Sequence, residues 1–331
     1  MSIADQIRRI KNAKAAIKEA IQNKGVSVSD TAKLDEYPAL IDEISVGGSC
    51  DSAWPNFFEW RTQNYTSFKY LFTYAIVNDE FMNLIDGIDT TNVKDISYAF
   101  NYFNYSSNKQ SDELDLTHWD VSKVAYTNRA FYYCGRINNL NISGWDFQKS
   151  DDLDYFIASS DFNTINMANC NTSTITSFDH FLYYSSKLIS IDMTGCDTSM
   201  ATDMNHMFSN CSKLTTITGE LDASRLSNGF YNSSSNHPFN KCASLETVYI
   251  KNIYKYVGIT NVAKFSINLG DTKVKDECLV YIINELPDLI NDKGLTATDK
   301  IVLTLPTTNT LTAEQVQVAI SKGWQVANTT Y

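Results

Sequence analysis

The stretch Leu114-Asp115-Leu116-Thr117-His118-Trp119-Asp120-Val121-Ser122-Lys123-Val124 decides the fold, because its pattern returns three more times along the chain. Apolar-polar-apolar triplets begin at Leu114, Leu140, Ile165 and Ile191, in steps of 26, 25 and 26 residues. Each is followed by Trp119-Asp120, Trp145-Asp146, Cys170-Asn171 or Cys196-Asp197, and then by a short Ser/Thr-containing turn. Each unit closes on a large apolar residue: Phe131, Ile157, Leu182 and Phe208, with Phe72, Phe100 and Phe239 as more distant counterparts. Such a unit holds one strand, one turn and one short helical or irregular return, and it cannot bury its apolar edge alone. Stacking units about 4.8 Å apart pairs the strands in parallel and closes a continuous core. The period therefore predicts an open solenoid with Leu116, Ile142, Met167 and Met193 in register. Longer units place protruding loops at 101–112 and 229–238.

Outward from the repeats, the chain changes character at both ends. Ile3, Ile7, Ile10, Ile17 and Ile21 follow a heptad stripe with Lys14 at the missing position. Isoleucine at both core positions favours trimers or tetramers. The alternative is an amphipathic helical pair folded onto its own chain. Residues 1–28 carry a net charge of +4, leaving −15 on the rest of a chain whose total is −11. A basic foot on an acidic body assigns different roles to the two parts. Gly47-Gly48-Ser49 marks a hinge after the foot. At the far end, 278–286 reads as a helix and 301–305 as a strand. Thr312 then caps a helix carrying Val316 and Ile320. The boundaries that follow are 1–46 for the oligomerisation and docking segment, and 47–70 for a linker and N-terminal cap. Repeats occupy 71–262 and a capping unit 263–331. The fold class is an α/β repeat: a leucine-rich-repeat-like solenoid with parallel strands, an N-terminal helical coiled-coil foot and a C-terminal α/β cap.

Composition limits the chemistry. The chain has 331 residues, 43% of them apolar, which excludes a disordered polyelectrolyte. Its acidity disfavours nucleic acid as a partner. The longest apolar run, 278–283, falls far short of the ~18–20 residues that span a bilayer, and no signal-peptide core follows Met1. Cys134, Cys211 and Cys242 share one repeat position, and Cys170 and Cys196 share another. Both read as buried ladders of small apolar side chains, reduced rather than bridged. Asp120, Asp146, Asn171 and Asp197 form a further ladder, suited either to capping the turn that follows or, as a column of carboxylates, to calcium; the capping role is expected. His180 and His206 should be neighbours, as solvated residues on the return segment. No nucleophile elbow, phosphate loop or zinc motif occurs, so neither an enzyme activity nor a cofactor or metal is expected. Tyr102 with Tyr105, Tyr132 with Tyr133, and Tyr183 with Tyr184 recur just after the closing apolar residue. Part of each group should stand in rows on one solvent-facing surface, where tyrosine suits recognition of a glycan or protein.

The strings at 114–124 and Met207-Phe208-Ser209-Asn210-Cys211-Ser212-Lys213-Leu214 resemble BspA-type leucine-rich repeats. That family occurs in surface adhesins of gut bacteria, in mycoplasmas and in some phage fibres. Lys14-Ala-Ala-Ile-Lys-Glu-Ala-Ile21 and Lys33-Leu-Asp-Glu-Tyr37 resemble the leading segment of virion fibre and tail proteins of phages infecting Bacteroides. Leu311-Thr-Ala-Glu-Gln315 with Lys322-Gly-Trp324 is similar to the family's usual last unit. The resemblance implies a head or tail fibre on the virion surface, a homotrimer docked on capsid or tail proteins. Its repeats would then face a host cell-surface glycan or protein. A bacterial cell-surface adhesin of the same repeat family is the other reading it allows.

Overall fold

A computed structural model describes residues 65–77, 79–105, 111–227, 230, 237–259, 265–296, 299 and 301–329. All of them belong to the unit Arg61–Tyr331. The predicted foot and its isoleucine stripe, together with 106–110 and 231–236 inside the two predicted loops, lie outside the described residues.

The repeated triplets form a six-stranded parallel sheet in sequence order. Its strands are β1 Ser111–Asp115, β2 Ile137–Asn141, β3 Thr164–Asn166, β4 Ser190–Asp192, β5 Thr216–Asp222 and β6 Thr247–Lys251. Leu114, Leu140, Ile165, Ile191 and Ile217 are consecutive partners across it, as the sequence period requires. Leu116, Ile142, Met167 and Met193 follow the strands and are buried in the same register. The result is a parallel-strand solenoid of about eight turns. In the turn before β1, the strand position is taken by the end of a helix, α1 Asp79–Asp86, whose Phe81, Leu84 and Ile85 are buried. The equivalence follows from the ladder described below: Trp119 Nε1 donates to the Ile85 carbonyl as Trp145 Nε1 donates to that of Leu116.

Of the two forms expected for the return segment, a short helix or irregular chain, the described residues have no helix there and instead a regular run of turns. In residues 96–103 the backbone N–H groups alternate between two partners. Ala99, Asn101 and Phe103 donate three residues back, to Ile96, Tyr98 and Phe100. Ile96, Tyr98, Phe100 and Tyr102 donate to the next turn, at Tyr126, Asn128, Ala130 and Tyr132. Overlapping turns thus form a second inter-turn ladder, and with Ser97 donating to Asp95 Oδ1 every N–H group of 96–103 is satisfied without a helix. The ladder already includes Phe68 and Tyr70, at the end of the segment expected to be linker and N-terminal cap, and continues through Phe72 and Tyr74.

Asp and Asn turn three corners of the unit. Asp115, Asn141, Asn166 and Asp192 accept the backbone N–H two residues on, directly after the strands. Asp120, Asp146, Asn171 and Asp197 do the same at 2.8–3.3 Å after the next side. Asp95, Asp152 and Asp203 repeat the device at the entry to the return segment. This is the Asx-turn role expected of the second of these columns.

After the six-stranded sheet come β7 Ile267–Asn268, α2 Asp276–Glu285, β8 Val302–Thr304, α3 Ala313–Ser321 and β9 Gln325–Ala327. The three strands pair in parallel in the order β7-β8-β9. Helix α2 packs on β6, and Lys273 and Lys275 donate backbone N–H groups to Leu245 and Glu246. Thr312 caps α3 in a capping box with Gln315, and Val316 is buried. Ile320, one turn further on, is 43% exposed. Lys322 Nζ donates to the carbonyls of Ile283, Asn284 and Leu286, which a helix end leaves open.

Candidate functional site

Two columns of residues with positive φ run along the return segment. One holds Tyr70, Tyr98, Arg129, Tyr155, His180 and His206, with φ between 54° and 62°. The other, four residues further on in each turn, holds Tyr74, Tyr102, Tyr133, Ser159, Tyr184 and Asn210, with φ between 54° and 66°. Left-handed backbone costs an ordinary residue ~1–2 kcal/mol. In residues 96–103, Tyr98 and Tyr102 are each the third residue of a four-residue turn, where a type II turn requires this sign of φ. Between them the closing residues Phe72, Phe100, Phe131, Ile157, Leu182, Phe208 and Phe239 point into the core, all at most 3% exposed.

Outward side chains on a parallel ladder stack on their counterparts. In the second column Tyr74, Tyr102 and Tyr133 stack at ring-centroid distances of 5.2 and 4.9 Å. In the first, Tyr70 stacks on Tyr98 at 4.8 Å, Tyr155 on His180 at 4.4 Å, and His180 lies 4.4 Å from His206. Arg129 fills the rung between Tyr98 and Tyr155, with its guanidinium carbon 5.7 and 4.4 Å from their ring centres. The rows expected of the tyrosines are therefore present, with a different membership. Tyr102, Tyr133 and Tyr184 share one column, broken at Ser159. Tyr132 and Tyr183 stand beside it, each edge-on to its neighbour at 4.6 and 4.5 Å. Tyr105 lies outside the column, edge-on to Tyr102 and Tyr133, and is 54% exposed. Burial is the main cause raising the phenols of Tyr102, Tyr132, Tyr155 and Tyr183 above their ordinary range.

Sequence reasoning missed Tyr70, Tyr74, Tyr98, Arg129 and Tyr155. The signal was available: each stands two or six residues after the first buried residue of its return segment. It also placed His180 and His206 in solvent, whereas both are half-buried in the stack. His180 Nδ1 lies 2.8 Å from Asp179 Oδ2.

Beside Tyr155 and His180 lies a group of half-buried carboxylates: Asp152, Asp154, Asp179 and Asp203. Burial, with Asp152 and Asp179 adding like charge, pushes the Asp154 carboxyl up to about 6. Burial likewise raises Asp152 and Asp203. Asp154 Oδ1 accepts from Ser177 Oγ at 2.6 Å and from the Asp179 N–H at 3.0 Å. Among the described residues no group of three or more His, Cys, Asp or Glu side chains could hold a metal ion. None of their helices is long and apolar enough to cross a membrane.

The cysteine columns turn out to be hydrogen-bond ladders shared with other donors. Trp119 and Trp145 Nε1, then Cys170 and Cys196 Sγ, each donate to the carbonyl just after the strand position of the preceding turn. Cys134, Ser160, Ser185, Cys211 and Cys242 do the same toward Phe100, Phe131, Ile157, Leu182 and Phe208. All six described cysteines are free thiols.

Parallel rungs, side chains in columns and corner-turning Asp and Asn residues define a parallel-strand solenoid repeat protein, compatible with the leucine-rich-repeat-like class. Residues 48–163 and 136–246 match the family model described as "Mycoplasma protein of unknown function, DUF285", and the two matches together cover more than half of the chain. The chain belongs to this BspA-like family. No curated protein and no solved structure matches it.

Proposed function

We propose that the protein is a non-enzymatic virion fibre of a phage infecting Bacteroides, on the head or the tail, which presents its aromatic face to the host surface. Residues 1–46 trimerise and dock on capsid or tail proteins through Ile3, Ile7, Ile10, Lys14, Ile17 and Ile21. The solenoid holds the recognition surface outward, and 263–331 covers its last turn. The observation that carries the recognition role is the pair of left-handed columns. Bulky rings sit where glycine would be free of strain, which places aromatic and cationic groups in fixed rows at a conformational cost. The docking role is supported by the isoleucine stripe and by the resemblance of the leading segment.

The test has two parts. The full chain should be trimeric by light scattering, and a chain lacking residues 1–46 should be monomeric; a trimer without the foot removes the docking role. Antibodies against 111–227 should label purified phage particles and block adsorption. The second reading, a bacterial cell-surface adhesin, is favoured by a family description that names a Mycoplasma protein, from a bacterium and not a phage. Labelling of uninfected bacteria and not of particles would establish it.

A further inference from the structure

Arg129 is the cationic rung of the first column. Its guanidinium also lies 5.6 Å from the ring centre of Tyr132, so three tyrosines surround it. Nη1 donates to Tyr98 Oη at 3.0 Å and to Asn128 Oδ1 at 3.1 Å. No carboxylate lies within 4.0 Å of it among the ion pairs of the described residues. These two bonds occupy one nitrogen of a planar fork that carries five N–H donors. The residue is half-buried, so the free edge of the fork is partly desolvated and still reachable. In a chain of net charge −11, a lone guanidinium framed by phenols is a local exception.

Stacking also limits what the rings can do. The inner rings Tyr98 and Tyr102 have neighbours on both faces, which leaves a ligand only the ring edges with their hydroxyls, and the Tyr98 hydroxyl already accepts from Arg129. A ligand on this face therefore meets phenol hydroxyls in rows about one strand spacing apart, with one cation among them. Rows of hydroxyls suit the hydroxyls of a sugar chain. One guanidinium suits one planar oxyanion, held by two parallel hydrogen bonds. A densely charged polyanion would be repelled by the acidic body.

We infer that Arg129, framed by Tyr98, Tyr132 and Tyr155, binds the carboxylate of an acidic sugar within a sparsely charged glycan. The inference rests on the reading of this surface as a recognition face and names the ligand class for it.

Short hyaluronan oligosaccharides, which bear a uronate carboxylate, and their carboxyl-reduced neutral counterparts are the probes, with full-length protein in a calorimeter at low salt. The wild type should bind the acidic form at least about tenfold more tightly, the range of a hydrogen-bonded charge. Arg129→Gln should abolish that preference, and Arg129→Lys should retain only part of it. Unchanged melting temperature and circular dichroism in both variants separate this from a structural role of the rung. Equal affinity for the two probes, no affinity for either, or a preference that survives in Arg129→Gln would overturn the inference. If dextran sulfate binds as tightly as the uronate, the site takes oxyanions generally and the assignment to carboxylate is wrong. Adsorption of phage that carry Arg129→Gln distinguishes the two levels. Retained adsorption with lost uronate binding sinks the ligand class and leaves the fibre reading standing.

Discussion

Ser159 occupies a left-handed position with neither a ring nor a charge, so the backbone conformation can be weighed there by itself (φ 58°). Its N–H donates to Tyr183 and its side chain has no stacking partner. Ser159→Gly should leave stability unchanged or raise it by about 1 kcal/mol, relief of the left-handed strain being offset by glycine's chain entropy. Ser159→Val should cost about 2 kcal/mol, because a β-branched side chain crowds this backbone. Urea unfolding of the three proteins measures both. Asp154 makes a second test at the same scale, through pH. Burial first, then the charges of Asp152 and Asp179, disfavours its ionised form and lifts the carboxyl to about 6 from an ordinary 3.8. Between those values the folded chain holds a proton that the unfolded chain releases. Stability therefore rises as pH falls through 6 and is lost as pH climbs past it. Asn at this position can still accept from Ser177 and Asp179 through its carbonyl oxygen. Asp154→Asn should raise stability at pH 8 by about 1 kcal/mol, allowing for solvent screening of a half-buried group, with no gain near pH 4. Melting curves across that range decide it.

Elements explain why the strands were legible and the return was not. In a strand the apolar-polar-apolar order reports the register directly, and Leu114, Leu140 and Ile165 could be aligned from the period alone. The return segment buries residues 153, 156, 157 and 160, then 178, 181, 182 and 185, which is the spacing of one helix face. That pattern imitates a helix, while the backbone makes turns that need positive φ at tyrosine, arginine and histidine, residue types that do not advertise it. The aromatic columns were only partly legible for the same reason: ring pairs were visible, their membership was not. The Trp and Cys ladder, by contrast, was legible as a shared slot, though its hydrogen-bonding role was hidden. Trp145 is 1% exposed and parallel to Trp119. Trp145→Ala should cost about 3–5 kcal/mol through cavity formation and the loss of one of the two hydrogen bonds on the Leu116 carbonyl, which keeps the Trp119 N–H. Lys322 serves an element in another way, closing three carbonyls at the end of α2. Lys322→Met should cost about 1–3 kcal/mol. Hydrogen exchange should accelerate in 276–289 and stay unchanged in 137–192.

At the scale of the molecule, each strand of the main sheet pairs only with the strands on either side of it. Stability in such an array is a sum of turns and nearest-neighbour interfaces. Deleting residues 164–189 removes one turn and presents β4 to β2 in the same register. The shortened protein should fold, with strand content reduced in proportion and a lower melting temperature; failure to fold would show coupling beyond neighbours. The same ladder has a mechanical consequence. If the chain is pulled from its two ends, the inter-turn hydrogen bonds on strand and return alike are loaded one rung at a time, like a zip. A rung of some 26 residues releases about 90 Å of slack when it opens. Optical-trap records of this protein should then show a sawtooth of small, nearly equal steps. A solenoid built this way would act as a shock absorber, yielding under a sudden tug and rewinding when the tension drops.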